Sequence, residues 1–99
     1  MKLRIQSINF DATVALESYI SKKLSKLEKN FDDISSMDVY LKVIKPESTT
    51  NKEAEIKISV PNIEFFASKT CDTFEEAIDL AIDAIDKQIK KFKEKATKK

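Results

Sequence analysis

Hydrophobic and polar positions alternate along this chain with two distinct periods, and the switches between them mark out six elements. Leu3 and Ile5 alternate with Lys2, Arg4 and Gln6, which predicts a strand over 2–10. Ile8 and Phe10 are out of phase with Leu3 and Ile5, so a bulge near Ser7, or the end of the strand there, is expected. Asp11 or Thr13 can cap a helix that runs to about Asn30, with Leu16, Ile20, Leu24 and Leu27 on its core face and Tyr19 at the border. Residues 31–36 read as a loop.

Period two returns at 36–45. Met37, Val39, Leu41 and Val43 face one way, and Asp38, Tyr40, Lys42 and Ile44 the other; Pro46 ends the run. A polar loop leads to Lys52–Val60, with Ala54, Ile56, Ile58 and Val60 inward. Pro61-Asn62 turns the chain into a fourth strand, 63–70, with Ile63, Phe65 and Ala67 on one face. The last quarter, Thr73 to Lys95, has the helical period: Phe74, Ala77, Ile78, Ala81, Ile82, Ile85, Ile89 and Phe92 recur at steps of three and four. Asp72 with Glu75, or Thr73 with Glu76, supplies a capping box. After Phe92 little is left to pack, so the helix is expected to fray.

The order is β-α-β-β-β-α, which predicts an α+β fold. The three consecutive strands form an antiparallel meander, and the first pairs with the second in parallel through a helical crossover. Two helices with one apolar face each are buried most economically on one face of a four-stranded mixed sheet. The open face then carries Tyr40, Lys42, Ile44, Lys57 and Phe66. Residues 1–95 are expected to form a single domain and 96–99 a basic frayed tail.

Charge alters this picture more than composition does. The 99 residues carry a formal net charge of +1, which alone predicts no polyanion partner. Its distribution does: residues 87–99 hold seven lysines and one glutamate, 7 − 1 = +6, whereas residues 1–86 hold 11 − 16 = −5. On the first helix Lys22, Lys26 and Lys29 form a stripe opposite the core, flanked by Lys23. On the last helix an acidic first half, Glu75 to Asp86, gives way to Lys87, Lys90, Lys91, Lys93 and Lys95, in keeping with the helix dipole. With the helices side by side, the two sets of lysines are expected to neighbour each other and to suit a sugar–phosphate backbone. Lysine is a point charge without the planar fork of arginine, and Arg4 is the sole arginine; this favours shape recognition of folded RNA over base readout.

Catalysis finds little support. Histidine and glycine are absent, so there is no imidazole base or ligand and no glycine-rich phosphate loop. Asp32-Asp33 and Glu75-Glu76 read as caps and solvated charge, and Asp79, Asp83 and Asp86 lack a second group of ligands for a cation. Cys71 has no histidine to activate it, and one cysteine forms no internal disulfide. No catalytic residue, metal or cofactor is expected. The absence of a signal-like start and of an apolar run of roughly 18 residues predicts a soluble cytoplasmic chain with no membrane partner.

Several segments resemble the hibernation promoting factor and ribosome-associated inhibitor family. Ile5 to Leu16 is similar to the family's opening strand and helix cap, Lys23-Leu-Ser-Lys26-Leu27-Glu28 with Phe31-Asp32 to its first-helix run, and Leu41-Lys42-Val43 to its second strand. Ala67-Ser68, Asp72-Thr-Phe74 and Ala77-Ile78-Asp79 resemble its A-x…D-M-Y-x-A-I-D segment, with Thr73 and Phe74 in place of Met and Tyr. Gln88 with Lys91, Lys93 and Lys95 matches its close. The resemblance implies a non-enzymatic protein that occupies the decoding channel of the small ribosomal subunit. There it contacts ribosomal RNA, competes with messenger and transfer RNA, and inhibits translation in stressed or stationary-phase cells. It places RNA contacts on Lys23, Lys26, Lys87, Lys91, Lys93 and Lys95; the helical geometry adds Lys22, Lys29 and Lys90. The length resembles the family's short form, expected to be monomeric when free. The alternative is a general structured-RNA-binding module; a third class is a protein-interaction domain whose lysines serve solubility.

Overall fold

The computed structural model describes residues 2–8, 11–29, 34–44, 50–61 and 63–97, with side chains omitted for 2 and 93–97. The element order is β1 (Lys2–Ile8), α1 (Val14–Lys29), β2 (Ser36–Val43), β3 (Lys52–Val60), β4 (Ile63–Cys71) and α2 (Phe74–Thr97). The strands form one sheet in the order β1-β2-β3-β4, with β1 parallel to β2 and the remaining pairs antiparallel. This is the predicted α+β arrangement.

The register explains which residues meet. One row across the sheet is Leu3, Met37, Ile58 and Phe65; the next inward row is Ile5, Val39, Ile56 and Ala67. These side chains form a single hydrophobic core with Leu16, Ile20, Leu24 and Leu27 of α1 and Ala77, Ile78, Ala81, Ile85 and Ile89 of α2. Phe65 and Phe92 close it edge to face, with ring centroids 5.7 Å apart. Ile34, assigned to a loop by its sequence context, is buried beside them, and Ser35 N–H donates to Ser59 O at 2.8 Å. Both helices therefore cover one face.

Rows between these, Arg4–Asp38–Lys57–Phe66 and Gln6–Tyr40–Glu55–Ser68, lie on the opposite face. Phe66 is 51% exposed there. Arg4 Nε donates to Asp38 Oδ1 at 3.0 Å, so Asp38, only 6% exposed, has its counter-charge. Lys42–Glu53 and Lys57–Glu64 add cross-strand and edge pairs at 3.8 and 3.7 Å.

Four sequence expectations are refined. The β1–β2 register runs unbroken from Lys2↔Ser36 to Ile8↔Lys42, without a bulge at Ser7. Continuous ladder pairing prevails over burying Ile8, which sits half-buried on the open face; Phe10 lies outside the described residues. Thr13 rather than Asp11 caps α1: its Oγ1 accepts from Leu16 N–H at 3.0 Å. Likewise Thr73 Oγ1 accepts from Glu76 N–H at 3.1 Å, which chooses the second of the two possible caps. The α2 backbone is helical through Thr97, beyond Phe92, where the sequence predicts fraying.

The Thr73 cap makes a first prediction. Thr73→Ala removes an acceptor from an orphan helix N–H and is expected to cost about 1 kcal/mol, lowering the thermal midpoint by about 4–8 °C, with Thr73→Ser close to the parent. Thermal unfolding followed by circular dichroism measures it, and equal midpoints for the Ala and Ser variants would remove the cap from the account.

Candidate nucleic-acid interface

The candidate lysines whose side chains are described sit on the outward surfaces of α1 and α2, and the topology fixes how these surfaces meet. β2 and β4 point the same way, since each is antiparallel to β3, and each helix runs back across the sheet. The helices are therefore side by side and co-directional. Tyr19 Oη donates to Asp79 Oδ1 at 2.7 Å, and Lys23 Nζ lies 3.7 Å from the same carboxylate. The shared carboxylate, together with burial and Glu75 nearby, pushes the Tyr19 phenol up to about 12, so it remains a donor throughout the physiological range. Lys23 also lies 5.4 Å from the Tyr19 ring centroid. Tyr19, Lys23 and Asp79 thus form a small polar clasp between the helices.

Below the clasp the groove between α1 and α2 has a volume of about 320 Å³ and is lined by Lys23, Lys26, Leu27, Asp79, Ile82, Asp83 and Asp86. The expectation that the two sets of lysines neighbour each other is corrected here for Lys23 and Lys26, which meet carboxylates of α2 across the groove. The cause is the alignment of the helices. Residue 19 of α1 meets residue 79 of α2, and the 16-residue α1 ends at Lys29 while the 24-residue α2 continues to Thr97. The acidic half of α2 is therefore the half beside α1.

The individual lysines fall into three groups. Lys23, Lys87 and Lys90 are paired: with Asp79, with Asp83 at 3.2 Å and with Asp86 at 2.9 Å. The Asp86 contact raises the Lys90 ammonium above its ordinary pKa. Lys22, Lys26, Lys29 and Lys91 are exposed, with no ion pair among the described residues. Lys91 stands on the other flank of α2, over a groove lined by Ile63, Glu64, Phe65, Gln88 and Phe92. Lys93 and Lys95 belong to the α2 backbone, their side chains outside the described residues. The free ammonium groups are thus spread over both helices and suit a broad, shaped polyanion rather than a single phosphate.

Sequence reasoning missed the clasp and a second contact, Gln88 Nε2 donating to the Phe66 carbonyl at 2.8 Å on the open edge of β4. Both join residues far apart in the chain, and neither leaves a local spacing signal. Among the described residues no cluster of His, Cys, Asp or Glu could hold a metal ion, and no helix is long and apolar enough to cross a membrane. Cys71 is buried at the end of β4, and that burial, with Glu76 nearby, raises its thiol pKa, away from nucleophilic character.

Comparison with known proteins decides the family. Residues 3–97 match the family described as Sigma 54 modulation protein / S30EA ribosomal protein. The chain belongs to this family. Among its relatives, a ribosome hibernation promoting factor of Azotobacter vinelandii is 35% identical over 95 residues, 96% of this chain and 85% of that protein. A ribosome hibernation promotion factor of Staphylococcus aureus is 28% identical over all of this chain, which spans 52% of that longer protein. In three dimensions the N-terminal domain of Thermus thermophilus Protein Y superposes with a TM-score of 0.78 at 26% identity, covering 93% of this chain and 99% of that one. A ribosomal subunit interface protein from Coxiella burnetii, 22% identical, gives 0.84 over 94% and 98% and attests the shared fold. The resemblance seen in the sequence is thereby borne out. The family is ribosome-associated and non-enzymatic, concerned with ribosome hibernation and the regulation of translation.

Proposed function

We propose that this protein binds the small ribosomal subunit through the outer faces of α1 and α2. It occupies the decoding channel, excludes messenger and transfer RNA, and silences ribosomes in resting cells. The observation that carries this reading is the set of exposed lysines, Lys22, Lys26, Lys29 and Lys91, distributed over both helices of a fold shared with hibernation factors. Lys23, Lys87 and Lys90 join the contact by exchanging their carboxylate partners for phosphates, and Lys93 and Lys95 extend it along α2. The free protein is a cytoplasmic monomer, following its partner's compartment.

Co-sedimentation with purified small subunits tests this. Phosphate contacts by the four exposed lysines alone give a slope of log affinity against log salt of about −3 to −4, and the remaining lysines steepen it. Binding at one protein per subunit, lost as salt rises and competed by transfer RNA, is the expected result. Binding indifferent to transfer RNA, together with tighter binding to free duplex RNA, favours a general structured-RNA module. No sedimentation at low salt removes the ribosomal reading.

A further inference from the structure

The lysines of the proposed interface do not stand alone. Asp79, Asp83 and Asp86 run along the side of α2 that faces α1, and each holds a lysine: Lys23, Lys87 and Lys90, respectively. Asp83 and Asp86 also line the groove with Lys26. Asp79 serves the clasp with Tyr19, whereas Asp83 and Asp86 are ion-paired with lysines one turn along their own helix. Asp83 and Lys87 are exposed, and exposed i,i+4 pairs contribute little to stability. A surface built purely for affinity to RNA would carry neutral or basic residues at these positions.

We infer that the carboxylate row Asp79–Asp83–Asp86 is the specificity-determining element of the interface, tuned against RNA of the wrong shape. The inference rests on the ribosome-binding reading above. Loose association with generic RNA averages over many orientations, and its strength follows the charge of the whole face. A carboxylate row between the two sets of lysines weakens nearly every one of those orientations. Docking in one shaped site samples a single orientation, in which phosphates can meet the lysines while the groove is left to water, cations or basic side chains. The same acids thus weaken the wrong partners more than the right one, which is discrimination by a repulsive element.

Asp83→Asn with Asp86→Asn tests the inference, since it frees Lys87 and Lys90 at nearly constant volume and leaves the Tyr19–Asp79 clasp intact. Affinity for a defined RNA duplex is expected to rise about tenfold at about 50 mM salt, with the salt slope steeper by roughly 1.4–1.8. Affinity for small subunits is expected to rise by a smaller factor, so that the ratio of ribosome to duplex affinity falls at least threefold. Glu53→Gln with Glu55→Gln, on the open face of the sheet, changes net charge equally and frees Lys42, and should leave that ratio near the parent value. An unchanged ratio in the Asp variant, or an equal fall in the Glu variant, overturns the inference. Parent protein that fails to sediment with small subunits overturns the ribosomal reading itself, a result distinguishable from either.

Discussion

Lys26→Glu combined with Lys91→Glu is expected to weaken binding to small ribosomal subunits on the order of 100-fold, while the thermal midpoint stays within a few degrees of the parent. The two lysines are chosen because they are exposed, lie on different helices, and have no ion pair among the described residues. A hydrogen bond to a charged group contributes roughly 1.5–3 kcal/mol, so each phosphate left without its lysine weakens affinity about tenfold or more. Charge reversal adds repulsion to that effect. Surface substitutions away from caps and buried networks usually change stability by less than about 0.5 kcal/mol. Lys26 shares the groove with Asp83 and Asp86, so a glutamate there also meets like charge. A companion Lys26→Ala, Lys91→Ala variant separates the two effects: it should lose less affinity but flatten the salt slope by a similar amount, roughly 2. Normal co-sedimentation of both variants, with folding intact, would show that the helix faces do not touch the ribosome.

Much of this architecture is legible in the sequence because it rests on local periodicity. The alternation in 36–43 and 52–60 predicts inward Met37, Val39, Leu41, Ala54, Ile56 and Ile58, all of them buried. The helical stripe from Phe74 to Phe92 likewise predicts its own core face. What escapes is the relation between elements. The sequence shows where each lysine stands on its own helix, but not how far one helix slides along the other. That slide, fixed by Tyr19 meeting Asp79, brings the acids rather than the lysines of α2 against α1. The Arg4–Asp38 pair is hidden for the same reason: it depends on the parallel register of β1 with β2, which no local pattern encodes. The candidate interface is therefore legible as a set of residues and illegible as a charge map. The carboxylate row, in sequence merely the acidic half of a helix dipole, becomes part of the interface once the helices are aligned.

Stability should depend on the other face of these elements, and Ile56→Ala is the substitution expected to show it most strongly. Ile56 lies in the third of the four strands, paired with Val39 on one side and Ala67 on the other, and is 0% exposed. Truncating it loses the transfer free energy of its buried carbons and leaves a cavity between sheet and helices that the flat strand backbone has little freedom to close. Such substitutions cost about 2–5 kcal/mol. A domain of this size has a total stability of roughly 5–15 kcal/mol, so the loss is a large fraction of the whole. The thermal midpoint is expected to fall by about 10–30 °C. Phe66→Ala is the contrasting variant. It removes a larger side chain from the adjacent strand, but from the open face, where 51% of the residue is already in water. It should therefore change stability much less than the smaller truncation at Ile56. At low temperature, where Ile56→Ala remains folded, it should still bind small subunits with the parent's salt slope, because the lysines are carried by helices whose outer faces are unaltered. A midpoint for Phe66→Ala as low as that for Ile56→Ala would mean that the open face is packed against something, and that the one-sided sheet deduced from the register is wrong.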